Sequence, residues 1–156
     1  MSNTDDIVIL SAVRTPMGAL LGCFSALSAS DLGAVAIRAA VERAGLKPEQ
    51  INDVIMGNVL GAGQGQAPAR QASRKAGLPD NVTALTINKM CGSGLKAVML
   101  AHDALRAGSV DVAVVGGMES MTNAPHLVRV RGGIKYGHGE LFDHMAIDGL
   151  EDAYQT

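Results

Sequence analysis

Tryptophan is absent, and aromatic residues are few: two Phe and two Tyr in 156 residues, or 3%. A surface that stacks bases on successive aromatic rings is therefore excluded as an organising feature. Cysteine is as sparse, with Cys23 and Cys91 alone. Two thiols do not make a disulfide framework, so a reducing compartment is the expectation. No charge of one sign dominates: 13 Lys+Arg face 15 Asp+Glu, a formal net charge of −2. That balance leaves no electrostatic footprint for nucleic acid or an anionic membrane. No apolar run approaches the roughly 20 residues that a bilayer-spanning helix needs. Met1–Asp6 is polar and acidic, not a basic stretch leading into an apolar one, so no secretion leader is expected. A soluble cytoplasmic protein is the plain expectation.

What is present is a good supply of core. Hydrophobic residues make up 47% and charged residues 18%, outside the disordered range. A domain of about 150 residues buries about 70% of its unfolded surface. The 19 glycines follow no collagen period and fall between apolar segments.

Those segments alternate. Ile7–Val13 is a near-continuous apolar run, the signature of a strand covered on both faces. Ser30 and Asp31 are placed to cap a helix running to about Ala44, stopped by Gly45 with Pro48 following. Asp53–Leu60 reads as a second strand. Ala67–Ala76 reads as a second helix, with Pro68 in its first turn and Gly77 at its end. Val82–Asn88 predicts a third strand, Gly92–Ala107 a third helix and Val110–Val115 a fourth strand. The order β-α-β-α-β-α-β predicts an α/β fold: a mostly parallel sheet with helices on both faces, joined by right-handed crossovers. Leu95, Ala97, Val98, Met99, Leu100, Ala101, Ala104 and Leu105 surround most of the third helix. That pattern predicts a helix covered by the sheet on one side and by a further layer, missing here, on the other; small Ala positions that tolerate exposure are the alternative. Beyond Gly117 the period breaks, so residues 1–117 are expected to form one unit and 118–156 to open another.

Cys91 is the sharpest chemical feature. It stands in Asn88-Lys89-Met90-Cys91-Gly92-Ser93-Gly94, between a predicted strand and a predicted helix. The helix dipole and unpaired amides expected there favour a thiolate nucleophile. Gly92 and Gly94 would let a substrate approach the sulfur closely, and the carboxyl edge of a parallel sheet is where open α/β folds bind ligands. A buried structural cysteine is the alternative. Cys23, in Gly22-Cys23-Phe24, has no such setting and reads as structural. Gly61-Ala62-Gly63-Gln64-Gly65-Gln66 has the context of a dinucleotide loop. Gln66 replaces the third glycine, however, and the loop follows the second strand, so a tight structural loop is expected. His138, Glu140, Asp143 and His144 lack metal-site spacing, so no metal is expected. His102 lies mid-helix. Arg129, Arg131 and Lys135 form a basic stretch that is either a solvated loop or a contact for an anionic ligand or a partner subunit.

Asn88 to Ala97 (Asn-Lys-Met-Cys-Gly-Ser-Gly-Leu-Lys-Ala) resembles the acyl-enzyme site of the thiolases. Val13-Arg14-Thr15-Pro16 with Gly18 fits the same family. So do Gly57-Asn58-Val59-Leu60 running through Gly65 to Gln71, Gly116 to Met121 with Ala124-Pro125, and Arg131-Gly132-Gly133-Ile134-Lys135. The resemblance covers essentially the whole chain, and its Gly-Gly-Ile-Lys stretch looks most like the branch that handles acetoacetyl-CoA. It implies the N-terminal half of a thiolase-like fold, incomplete, with the last strand of its sheet lacking and a lid-like loop domain opening at Met118. It implies an acyltransferase in which Cys91 takes an acyl group from an acyl-CoA. The acyl-enzyme would then be attacked by a second acetyl-CoA to give acetoacetyl-CoA, or the reverse thiolysis would run. The Cys91 backbone N–H would serve an oxyanion hole. Leu150 would line the coenzyme A channel, and no cofactor is implied beyond the coenzyme A thioester as substrate. The loop near Arg131 would join subunits of a homo-oligomer, a tetramer by family. The family's Asn-Glu-Ala-Phe, Gly-His-Pro and Cys-x-Gly-Gly-Gly segments do not occur in this sequence. The expectation is therefore an N-terminal portion, inactive alone. A non-catalytic assembly module pairing through the third helix, a longer-chain 3-ketoacyl-CoA thiolase, and a ketoacyl synthase are the competing readings.

Overall fold

In a computed structural model, which describes residues 6–155, three strands form a wholly parallel sheet: β1 (Asp53–Gly57), β2 (Thr83–Ile87) and β3 (Ala113–Gly117), in the order β2-β1-β3. Met1–Asp5 and Thr156, included in the sequence-based unit boundaries, lie outside the described residues. The three helices are α1 (Ala29–Arg43), α2 (Pro68–Ala76) and α3 (Ser93–Arg106).

The pleat assigns the faces. Val54 and Met56 of β1 join Val114 of β3 and Ala84 of β2 against α1 and α2, where Ile37, Val41, Ala69 and Ala72 are buried. Ile55 points the other way, with Ile87 and Val115, onto Ala97 and Ala101 of α3. Helices thus cover both faces, as the alternation predicts. Each fully buried aliphatic side chain in these layers contributes about 1.5–3 kcal/mol.

Local chemistry sets the element ends. α1 is capped by Ser28, two residues before the Ser30 of the Ser30–Asp31 pair that the sequence suggests. The Ser28 hydroxyl accepts from the Asp31 N–H (3.2 Å), and the Asp31 carboxylate accepts from the Ser28 N–H (2.9 Å), a reciprocal capping box. β1 stops at Gly57, short of the predicted Leu60, because the Val59 and Leu60 amides turn to the Glu119 carboxylate. β3 starts at Ala113, later than predicted, because Asn52 takes the chain before it. Its side-chain oxygen accepts from Asp111 N–H (2.9 Å) and Val112 N–H (2.8 Å), and its own N–H donates to Val112 C=O.

One expectation needs correction. Ile7–Val13 is not a strand. It runs beside α1, where Ser11 donates to Ala40 C=O (2.7 Å) and Arg43 to Ala12 C=O (3.3 Å), and Ile9 is 82% exposed. An apolar β-branched run supplies propensity, but a strand exists only through its ladder, and no described strand lies alongside it. The third helix is covered on one face only, and its bare face is the one from which the sequence reading expects a layer to be missing. Ser93, Ala97 and Ala101 are buried, whereas Leu95 is 70% and Met99 50% exposed.

After β3 come a 3-10 turn (Met121–Asn123), the two-residue strands β4 (His126–Leu127) and β5 (Phe142–Asp143) paired antiparallel, and a π-helical turn, Ala146–Leu150. Among the described residues no helix is long and apolar enough to cross a membrane.

Candidate active site

β1, β2 and β3 end level: Gly57 is in register with both Ile87 and Gly117. The exits from these ends build one rim at the carboxyl edge of the sheet.

The exit from β2 carries Cys91. The chain leaves Ile87, passes through Met90 in the left-handed region (φ +49°), and enters α3 with Gly92 at the N-cap. A non-glycine residue there is strained and persists only where its surroundings fix it. Here two side chains do so. Asn88 Oδ1 accepts from Met90 N–H (2.9 Å), while Ser93 Oγ accepts from Lys89 N–H (2.8 Å) and donates to Met90 C=O (2.6 Å). Cys91 is exposed and free, which excludes the buried structural reading. It directly precedes a helix that no side chain caps. The amides of Gly92 and Ser93 are not unpaired, however: they donate to the carbonyls of Lys89 (3.1 Å) and Met90 (3.0 Å) within the turn.

The first turn of α3 lies on glycine. A Cβ at Gly57 would meet Ser93 Cβ at 2.5 Å and the Gly94 N at 2.9 Å, while a Cβ at Gly94 would find Gly117 N at 3.6 Å. The absent side chain of Gly57 is thus what seats the Cys91 turn against the strand ends.

The exits from β1 and β3 are tied together by Glu119. Its carboxylate accepts from the buried Asn58 Nδ2 (2.6 Å), Val59 N–H (2.8 Å) and Leu60 N–H (3.0 Å). Gln64 Nε2 extends the network by donating to Asn58 Oδ1 (3.1 Å) and Leu60 C=O (2.7 Å). Gln71 Nε2 donates to the carbonyls of Gln64 and Gln66, both at 2.8 Å. The segment from Gly61 to Gln66 is thereby a tight loop held by its own glutamines.

The remaining candidates are dispersed. Leu150 is 67% exposed at the end of the π-helical turn. Cys23 is exposed and free in a separate turn region. Arg131 is exposed, and the neighbouring Arg129 guanidinium lies 4.9 Å from the Phe142 ring centroid, a cation–π contact. His102 is exposed beside Asp103. His138 and Glu140 are exposed, and His144 is buried and bonded to Ala62 and Asp148. Among the described residues no three His, Cys, Asp or Glu side chains gather as a metal site. Sequence reasoning missed the parts played by Ser93, Asn58, Glu119 and His144. Their signal was position: each lies at or just beyond a strand end or in the segment that packs there.

Residues 7–156 match the family described as Thiolase, N-terminal domain. The chain is 56% identical over 150 residues to an acetyl-CoA acetyltransferase of Cupriavidus necator, covering 96% of this chain and 38% of that one. It is 49% identical to a cytosolic acetyl-CoA acetyltransferase of Gibberella zeae (99% and 39% covered) and 49% identical to a mitochondrial one of Bos taurus (96% and 35%). The crystal structure of Acat5 thiolase from Ascaris suum in complex with coenzyme A superposes with a TM-score of 0.91 at 42% identity, covering 94% of this chain and 38% of that one. The chain thus spans somewhat over a third of the length of these relatives.

Proposed function

The chain belongs to the thiolase family, and from that premise we propose that it carries the acyl-accepting step of an acetyl-CoA acetyltransferase, with Cys91 as the nucleophile. The Cys91 thiolate attacks the thioester carbonyl of an acyl-CoA. The tetrahedral intermediate collapses, expels coenzyme A as its thiolate and leaves the acyl group on sulfur. The Cys91 backbone N–H donates to the developing oxyanion, a class of contact worth about 3–4 kcal/mol in acyl transfer. Condensation with a second acetyl-CoA gives acetoacetyl-CoA, and thiolysis is the reverse. No cofactor enters. The role assigned to residues of this sequence is acyl capture.

The observation that carries the reading is the exposed thiol on a strained, doubly clamped turn at the sheet's carboxyl edge. Leu150 is read as a coenzyme A contact by family, and the relative solved with coenzyme A supports that ligand. The stretch near Arg131 is read as a subunit contact of a homo-oligomer, a tetramer by family. A cytoplasmic location is proposed by likeness to the cytosolic relative of Gibberella zeae, while the relative of Bos taurus is mitochondrial.

Mass spectrometry after incubation with acetyl-CoA tests the reading. One acetyl group is expected on Cys91 and none in Cys91→Ala. Iodoacetamide is expected to label Cys91 faster than Cys23; equal slow labelling of both, with no acetyl adduct, would overturn it.

A further inference from the structure

We propose that His144 is a positioning residue that pins the turn carrying Leu150 to the glycine-rich loop, and that it does so only as the neutral Nδ1–H imidazole. Its side chain is 7% exposed. Nε2 lies 3.2 Å from the Ala62 nitrogen and Nδ1 lies 2.6 Å from Asp148 Oδ2. The Ala62 N–H can only donate, so Nε2 is the acceptor and the ring proton sits on Nδ1, where the Asp148 carboxylate accepts it. One ring therefore joins two elements, since Ala62 belongs to the Gly61–Gln66 loop and Asp148 to the turn Ala146–Leu150.

The surroundings hold the ring at that junction. The His144 N–H donates to Pro125 C=O (3.2 Å). Gly149 lies directly on the loop, because a Cβ there would come within 3.0 Å of the buried Leu60 Cδ2. Protonation puts a second N–H on the ring, facing the Ala62 N–H. Two donors then oppose each other with no acceptor between them, while the bond to Asp148 is kept. The ring stays with the turn and the loop is released. The ionisable groups on the packed elements are Asp148 on the turn, His126 and Asp143 paired across the β4–β5 hairpin, and Glu119, whose carboxylate is engaged by Asn58, Val59 and Leu60. Among the described residues none of them is bonded to Nε2.

The consequence for substrate rests on the reading of Leu150 as a coenzyme A contact, so the test has two arms. The first is the pin itself, read by nitrogen-15 shifts of the ring and by amide exchange. The Nδ1–H tautomer and a protected Ala62 amide are expected in the parent. His144→Gln keeps one donor and one acceptor and is expected to retain the protection, whereas His144→Ala is expected to lower it on the order of tenfold. An Nε2–H tautomer, or Ala62 protection indifferent to His144→Ala, overturns the proposal. The second arm is calorimetric titration with coenzyme A. His144→Ala is expected to weaken binding on the order of tenfold, with His144→Gln restoring it. Unchanged binding in His144→Ala overturns the positioning role. A parent protein that shows the pinned tautomer but binds no coenzyme A removes the reading of Leu150, while the pin is judged by the first arm.

Discussion

Gly57→Ala is the sharpest perturbation of the seat beneath Cys91. An added Cβ would lie 2.5 Å from Ser93 Cβ, 2.8 Å from the Ser93 carbonyl carbon and 2.9 Å from the Gly94 nitrogen. Two of these three atoms are backbone, so no rotamer change relieves the contact. Restoring ordinary van der Waals separation requires the first turn of α3 to retreat by about 0.9 Å. The rest of α3 lies close to the sheet through small residues, Ala97 and Ala101, packed on Ile55. A gap of about 0.5–1 Å there forfeits a quarter to a half of each dispersion contact. Overpacking of this kind costs about 1–3 kcal/mol, and the rigid neighbours place Gly57→Ala at the upper end. The retreat also pulls Ser93 from Lys89 and Met90, so the clamp on the strained turn loosens and Cys91 leaves its place at the rim. Urea unfolding is expected to show a midpoint shift equivalent to about 2–3 kcal/mol with an unchanged slope. In a Cys23→Ser background, iodoacetamide labelling of Cys91 is expected to lose its rate advantage. Stability within about 0.5 kcal/mol of the parent, together with an unchanged labelling rate, would refute the claim that Gly57 seats the nucleophile.

Gly94→Ala is the contrasting substitution: its Cβ meets nothing closer than 3.6 Å, and alanine favours a helix over glycine by about 1 kcal/mol. The fold is expected to be neutral or stabilised in urea, with acetyl capture on Cys91 reduced by the new side chain; a large loss of stability would contradict the contact geometry. Glu119→Ala leaves two backbone N–H groups without their acceptor and removes one of the two acceptors of the Asn58 amide, which still donates to Met118 C=O, with an expected loss of about 3 kcal/mol, whereas Glu119→Gln, which keeps one acceptor, is expected to lose about 1–2 kcal/mol; equal effects in urea would count against the network. The Asp31 carboxyl is held down to about 2 from its ordinary 3.8, chiefly by the hydrogen bond from Lys75 and then by those from Ser28. Because the folded-state value is the lower one, Asp31 contributes stability that is fully present above the unfolded value and is lost as pH falls toward about 2. The stability advantage of the parent over Asp31→Asn is therefore expected at pH 7 and should shrink through acid titration; an advantage that grows on acidification would show the sign to be wrong.

The sequence revealed what depends on its own pattern and concealed what depends on neighbours. Alternation of β-branched runs with 3.6-residue apolar spacing located β1, β2, β3 and all three helices. Pro68 and Gly77 bracketed α2 because a fixed φ suits a helix start and a left-handed residue suits its end. Ile7–Val13 misled because its side chains report strand preference and carry no information about a ladder partner. The strand ends shifted because Asn52 and Glu119, some 60 residues away in sequence from their partners, take the backbone groups that would otherwise extend the ladders. Cys91 was legible from its turn. The Ser93 clamp was not: a serine at the first residue of a helix looks like any other until Lys89 and Met90 fold over its hydroxyl.

The three strand exits also show why the thiol stands alone on this rim. The β1 and β3 exits spend most of their polar groups on each other, through Glu119, Asn58 and Gln64, and only Gln64 Oε1 of these three side chains is buried without a partner among the described residues. The β2 exit spends its backbone and hydroxyl groups inside its own turn and leaves the Cys91 sulfur exposed. A ligand arriving at this edge would meet a polar wall on one side and an exposed thiol on the other. Precision at that atom comes from Gly57, where the missing side chain lets α3 rest on the strand ends. Loosening the wall through Glu119 should lower stability while leaving the intrinsic rate of Cys91 alkylation unchanged. Disturbing the seat through Gly57 should change both, and that separation follows only if the two halves of the rim are built independently.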